Sequence, residues 1–105
     1  MRTLAIVTAA AILMPAMAAA QDGSATAGER LARDLCSECH AIAPDDPTPL
    51  ASEAPSFQQV AESEHNAQSL RVFLRTPHET MPNIVLNDAQ RDDVTAYIMS
   101  LRHGD

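Results

Sequence analysis

The sequence predicts an all-α fold of about four short helices, and three observations carry that prediction. Apolar residues recur at helical spacing: Ala27, Leu31 and Leu35 near the start, and Val94, Tyr97, Ile98 and Leu101 near the end. Residues able to cap a helix open these segments. Proline-rich stretches separate them, and neither an internal repeat nor a strand-period segment of more than a few residues occurs.

The first twenty residues stand apart. Arg2 gives a positive charge, Leu4 to Met14 form an apolar run, and Pro15 breaks it. Ala18-Ala19-Ala20 supplies the small residues that a signal peptidase reads, with cleavage before Gln21. The run is too short for a membrane span, which needs about 20 apolar residues. Residues 1–20 are therefore expected to be a cleaved signal peptide. Residues 21–105 are expected to form one domain, periplasmic and without stable membrane insertion.

A polar tail, Gln21 to Ala25, leads into the first helix. Thr26-Ala27-Gly28-Glu29 has the capping-box form and sets the expected start near Thr26. Ala43 to Pro55 reads as a loop, because Pro44, Pro47, Pro49 and Pro55 supply no N–H and fix φ. Ser56 to Glu62 forms a short helix with Phe57, Val60 and Ala61 inward. Asn66 caps a third helix carrying Leu70, Phe73 and Leu74, which Pro77 ends. A second loop, Thr76 to Asn87, contains Met81-Pro82. Asn87 caps the last helix, Asp88 sits at its positive end, and Arg102 and His103 sit at its negative end. Gly104 terminates it.

Composition says that this domain needs help to fold. So short a segment buries little apolar surface, and such domains usually rely on a disulfide, a metal or a cofactor. There is no Trp, one Tyr (Tyr97) and two Phe (Phe57, Phe73). A large planar cofactor would fill the missing core. Residues 21–105 hold six Arg, no Lys and all fourteen Asp and Glu, a net charge of −8. With no basic patch to neutralise phosphates, nucleic-acid binding is excluded. The acidic balance suits a monomer steered toward a partner with a basic face.

The two cysteines lie in Cys36-Ser37-Glu38-Cys39-His40 at the end of the first helix. A thioredoxin-like dithiol would need a βαβ context. A structural zinc site would need four ligands, and His65, His78 and His103 show no paired spacing. A disulfide across so small a loop stabilises little and leaves His40 unexplained. Covalent haem attachment uses all three residues. Two thiols spaced by two residues add to the vinyl groups of one porphyrin edge, and the next residue is held under the iron as a ligand. For the sixth position, Met81 stands in a loop stiffened by Pro77 and Pro82. Met99, in the terminal helix, reads as core filler. His78, in the same loop as Met81, is the competing ligand and would lower the potential.

On these residues the chain resembles the class I monohaem cytochromes c, above all the small bacterial periplasmic ones. The resemblance spans about Thr26 to Leu101. It rests on the order of Cys36 to His40, the Pro55 segment, Thr80-Met81-Pro82-Asn83, and Asp93-Val94-Thr95-Ala96-Tyr97-Ile98. It implies the class I fold, with N- and C-terminal helices crossing and all helices packed around one covalent haem c. Cys36 and Cys39 match the thioether positions, His40 the proximal iron ligand and Met81 the distal one. Ala54-Pro55-Ser56-Phe57 matches the family's Gly-Pro segment, which assigns the Pro55 carbonyl to the axial imidazole's N–H. Gly28 and Tyr97 match the helix crossing. The chain departs from the family pattern at Ala32, where an aromatic residue is common, and at Ala54, where glycine is. It lacks a Trp for a haem propionate, with Arg71 or Arg75 as candidates, and it lacks the lysine ring. The function implied is that of a soluble, non-enzymatic carrier passing single electrons to redox partner proteins. The alternatives are an open or labile sixth site (peroxidase or gas-binding) and a haem subunit of a larger dehydrogenase or oxidase.

Overall fold

Glycine turns the chain into its first helix. Gly23 has φ +103°, and a Cβ there would stand 2.2 Å from the Asp92 carbonyl oxygen. The structure is a computed structural model that describes residues 2–12, 23–50, 52–63, 66–75, 81 and 84–103. Four α-helices organise these residues: α1 (Ala25–Leu35), α2 (Phe57–Glu62), α3 (Ala67–Arg75) and α4 (Asp88–Ser100). A 3-10 turn, Leu101–His103, follows α4. Apart from an isolated bridge residue at Met81, no strand occurs among the described residues.

The caps expected on α3 and α4 are observed, the one on α1 is corrected, and α2 has a cap at Ser56 that was not expected. α1 starts at Ala25, and its N-cap is Ser24 rather than Thr26. The Ser24 hydroxyl accepts from the Ala27 N–H at 3.2 Å, while the Ser24 N–H donates to Asp93 Oδ1 at 2.8 Å. That second bond decides the register, because it ties the helix entrance to α4. α2 opens with a reciprocal box between Ser56 and Gln59. The Asn66 carboxamide accepts from the Ser69 N–H at 2.8 Å, as expected of a cap on α3. Asn87 and Gln90 close a second box at α4. Pro77, expected to end α3, and Gly104, expected to end α4, lie outside the described residues.

α1 crosses α4 at very short range. A Cβ on Gly28 would meet the Asp93 carbonyl oxygen at 1.9 Å and Tyr97 Cβ at 2.9 Å, so only glycine fits. Ala32, one turn on, is fully buried against the same helix. Its small side chain leaves room for Tyr97, whose ring packs instead on Phe57, centroids 6.3 Å apart and tilted 53°. The Tyr97 hydroxyl donates to the Ile42 carbonyl at 2.7 Å. α2 rests on α4 and on the closing turn, where Gln58 Nε2 donates to the Leu101 carbonyl at 3.0 Å. α3 joins α4 through Arg71 Nε and Asp92 Oδ1, 3.1 Å apart. The buried core runs from Ala32 and Ile42 through Phe57, Ala61 and Leu70 to Val94, Tyr97 and Ile98. On one side it opens into a large cleft.

Candidate functional site

The cleft begins where α1 ends. Cys36 is the C-cap residue, its N–H still bonded to the Ala32 carbonyl. The chain then curls over itself, because the Cys39 and His40 N–H groups both donate to the Cys36 carbonyl, at 3.2 and 2.9 Å. This turn puts Cys36, Cys39 and His40 along one wall of the cleft. Cys36 and His40 are buried and Cys39 is exposed. The two thiols are not joined as a disulfide. Burial, and secondarily the charge of Cys39, pushes the Cys36 thiol up to about 11. That is opposite to the lowered pKa typical of a reactive Cys-x-x-Cys dithiol. No group of three or more His, Cys, Asp or Glu suited to a metal ion occurs among the described residues, so the zinc reading finds no ligand set there.

His40 is held from behind. Its Nδ1 lies 2.5 Å from the Pro55 carbonyl oxygen. A carbonyl only accepts, so Nδ1 carries the proton and Nε2 is the nitrogen with a free lone pair. The Phe57 ring lies 5.2 Å from the imidazole, tilted 51°, and limits its rotation. Much of the remaining lining is apolar: Leu70, Phe73 and Leu74 from α3, Ile84 and Leu86 from the following segment, and Val94 and Ile98 from α4. Met81, partly buried, belongs to this lining. His65 and His78 lie outside the described residues.

The cleft holds about 960 Å³, at the upper end of the roughly 300–1,000 Å³ typical of small-molecule and cofactor sites. Its donor set is two thiols, one imidazole with a free Nε2 and one thioether, and the rest of its surface is mostly apolar. Those residues fit a large, flat, largely apolar group with a metal at its centre. Glu38 and Glu53 are the charged side chains of the lining. Arg71, a candidate for a propionate, is ion-paired with Asp92.

Some contributors escaped the sequence reading. Ile84 and Leu86 line the cleft, yet in sequence they are only two apolar residues within the second loop. Phe57, expected to face inward, is buried as expected, and its ring also stands between those of His40 and Tyr97.

Comparison with known proteins decides the family. Residues 23–98 match the family model described as cytochrome C oxidase, cbb3-type, subunit III. The chain belongs to the cytochrome c family. This cytochrome is also 36% identical, over 76 residues, to cytochrome c-552 of Bradyrhizobium diazoefficiens. The match covers 71% of this chain and 72% of that protein. No solved structure matches the chain. As a monohaem cytochrome c of the class I type, the protein uses one covalently bound haem c and serves haem-based electron transfer. The all-α class I fold expected from the sequence is the fold observed. No described helix is long and apolar enough to cross a membrane.

Proposed function

We propose that residues 21–105 act as an exported carrier of single electrons, with Cys36 and Cys39 as the thioether positions and His40 and Met81 as the axial ligands. The haem, when bound, supplies an iron that alternates between ferrous and ferric. The single observation that carries the reading is the bond from His40 Nδ1 to the Pro55 carbonyl. It fixes the tautomer that leaves Nε2 for a metal, and it raises the basicity of the ring. Met81 offers a thioether from another part of the same lining. Ligands on both faces of the iron would leave little room for a substrate. That favours a carrier over an enzyme. For the exported state, the support is the leader pattern together with residues 2–12. These have no regular structure, and Leu4, Ile6, Val7 and Ile12 are exposed. The purified periplasmic protein is expected to begin at Gln21.

Replacing Met81 by Ala tests the ligand pair. The parent is expected to be low-spin, with a weak near-infrared sulfur-to-iron band in the ferric form. Met81→Ala is expected to lose that band, become high-spin in the ferric state and bind carbon monoxide rapidly when reduced. A parent that is already high-spin would overturn the carrier reading. A variant that keeps the parent spectrum would remove Met81 as the ligand.

A second reading, a haem subunit of a larger oxidase, is supported by the match to a family described as an oxidase subunit. It requires a stable complex, and co-purification of an oxidase chain from the native host would establish it.

A further inference from the structure

The three residues that end the Cys36 to His40 motif and follow it are each tied to one short stretch of the proline-rich loop. His40 Nδ1 donates to the Pro55 carbonyl at 2.5 Å. The Ala41 carbonyl accepts from the Phe57 N–H at 2.9 Å. The Cys39 carbonyl accepts from the Ser52 hydroxyl at 2.6 Å, and the same hydroxyl accepts from the Ala54 N–H at 3.0 Å. The loop therefore runs alongside the motif in register, with Ser52 and Phe57 fastening either side of Pro55.

The Phe57 fastening is a backbone bond at the mouth of α2. On the other side Pro55 has no N–H, the Ser52 N–H turns back to the Pro49 carbonyl at 3.3 Å, and the Ala54 N–H bonds the Ser52 hydroxyl. The Ser52 side chain takes that place and bonds in both directions at once. A hydroxyl can do so, being one donor and two acceptors.

We propose that Ser52 is a positioning residue for the axial imidazole. It holds the Pro55 carbonyl against His40 Nδ1, and so sets how strongly that ring donates to the iron. The inference rests on His40 as the axial ligand and adds a residue that tunes it. A methyl group at position 52 leaves the Cys39 carbonyl without this donor and the Ala54 N–H without this acceptor. The loop then loses one fastening, and the Pro55 carbonyl is free to draw back. A less strongly bonded imidazole is a poorer donor, which favours the ferrous state.

The experiment compares the parent holoprotein with Ser52→Ala and Ser52→Thr by potentiometry, ferric spectrum and thermal melting. Ser52→Ala is expected to favour the ferrous form about threefold at a fixed potential, the scale of one neutral hydrogen bond. For one electron that is a rise of about 30 mV. Ser52→Thr, which keeps the hydroxyl, is expected to restore the parent value. Should the alanine variant fail to accumulate as holoprotein, Ser52→Val takes its place against Ser52→Thr as the same shape without the donor. A lowered melting temperature with an unmoved potential would overturn the inference, since Ser52 would then merely hold the loop. A parent lacking the low-spin signature of an axial imidazole would overturn both this inference and the site reading. A parent that has it, beside a variant with an unchanged potential, would overturn the role of Ser52 alone.

Discussion

Tyr97 shows what one side chain contributes here. Its ring fills core beside Phe57, and its hydroxyl reaches the Ile42 carbonyl, two residues beyond His40. Replacing it by Phe keeps the ring and strands that carbonyl, at a cost of about 1–3 kcal/mol for an unsatisfied buried group. Denaturant titration of the holoprotein measures it. The same residue adds a pH dependence. Burial, and secondarily the nearby Glu29 carboxylate, raises the Tyr97 pKa above its ordinary 10.0. The folded state thus resists the ionisation that the unfolded chain undergoes. Its stabilising effect is whole below pH 10 and is lost as the pH rises above that value toward the raised pKa. Tyr97→Phe is expected to remove this part of the alkaline loss, and an unchanged alkaline slope would refute the assignment. Little of this was legible beforehand. The sequence placed Tyr97 at the helix crossing, but its hydroxyl partner is 55 residues away. The shared position of Cys36, Cys39 and His40 was legible because their spacing is local and chemically specific. Ser52 was not, because a serine in a proline-rich loop has no signature until its two partners are seen.

At the scale of elements, the joint between α1 and α4 carries the most information. Gly23, Ser24 and Gly28 on one side meet Asp92, Asp93 and Tyr97 on the other. Gly28→Ala would force its Cβ into the Asp93 carbonyl, so α1 must shift from α4. Destabilisation by about 1–3 kcal/mol is expected, the usual range for overpacking. Thermal or denaturant melting of the holoprotein reads it, and a melt equal to the parent's would show that the crossing is looser than the structure has it. The helices were largely legible in the sequence, since periodicity and caps are local signals. The exact start of α1 was not. Ser24 and Thr26 both carry a hydroxyl that can cap, and the choice is made by the Ser24 N–H on Asp93, 69 residues away. The box at α4 was half seen: Asn87 was read as the cap, while its reciprocal partner Gln90 was not.

At the scale of the whole molecule, charge and cleft act together. The domain is strongly acidic, and the charged residues of the cleft lining are Glu38 and Glu53. Several arginines have their charge partly spent on acidic neighbours: Arg33 on Glu29 and Asp46, Arg71 on Asp92, Arg91 on Asp88. The rim near the exposed Cys39 therefore presents a negative field to an approaching redox partner. Fields of this kind raise encounter rates by 10-fold or more at low salt, and they fade as the Debye length shrinks to about 10 Å at 0.1 M. Two small redox complexes of opposite charge separate this effect from every other determinant of rate. Oxidation of the ferrous protein by a cationic cobalt complex is expected to be fast at low ionic strength and to slow as salt is added. Oxidation by anionic hexacyanoferrate is expected to show the reverse trend. Glu38→Gln combined with Glu53→Gln is expected to flatten both salt dependences while the spectrum stays that of the parent, because neither carboxylate is among the proposed thioether or iron-ligand positions. Equal salt dependence for the two complexes would mean that electrons leave through a face other than this acidic rim.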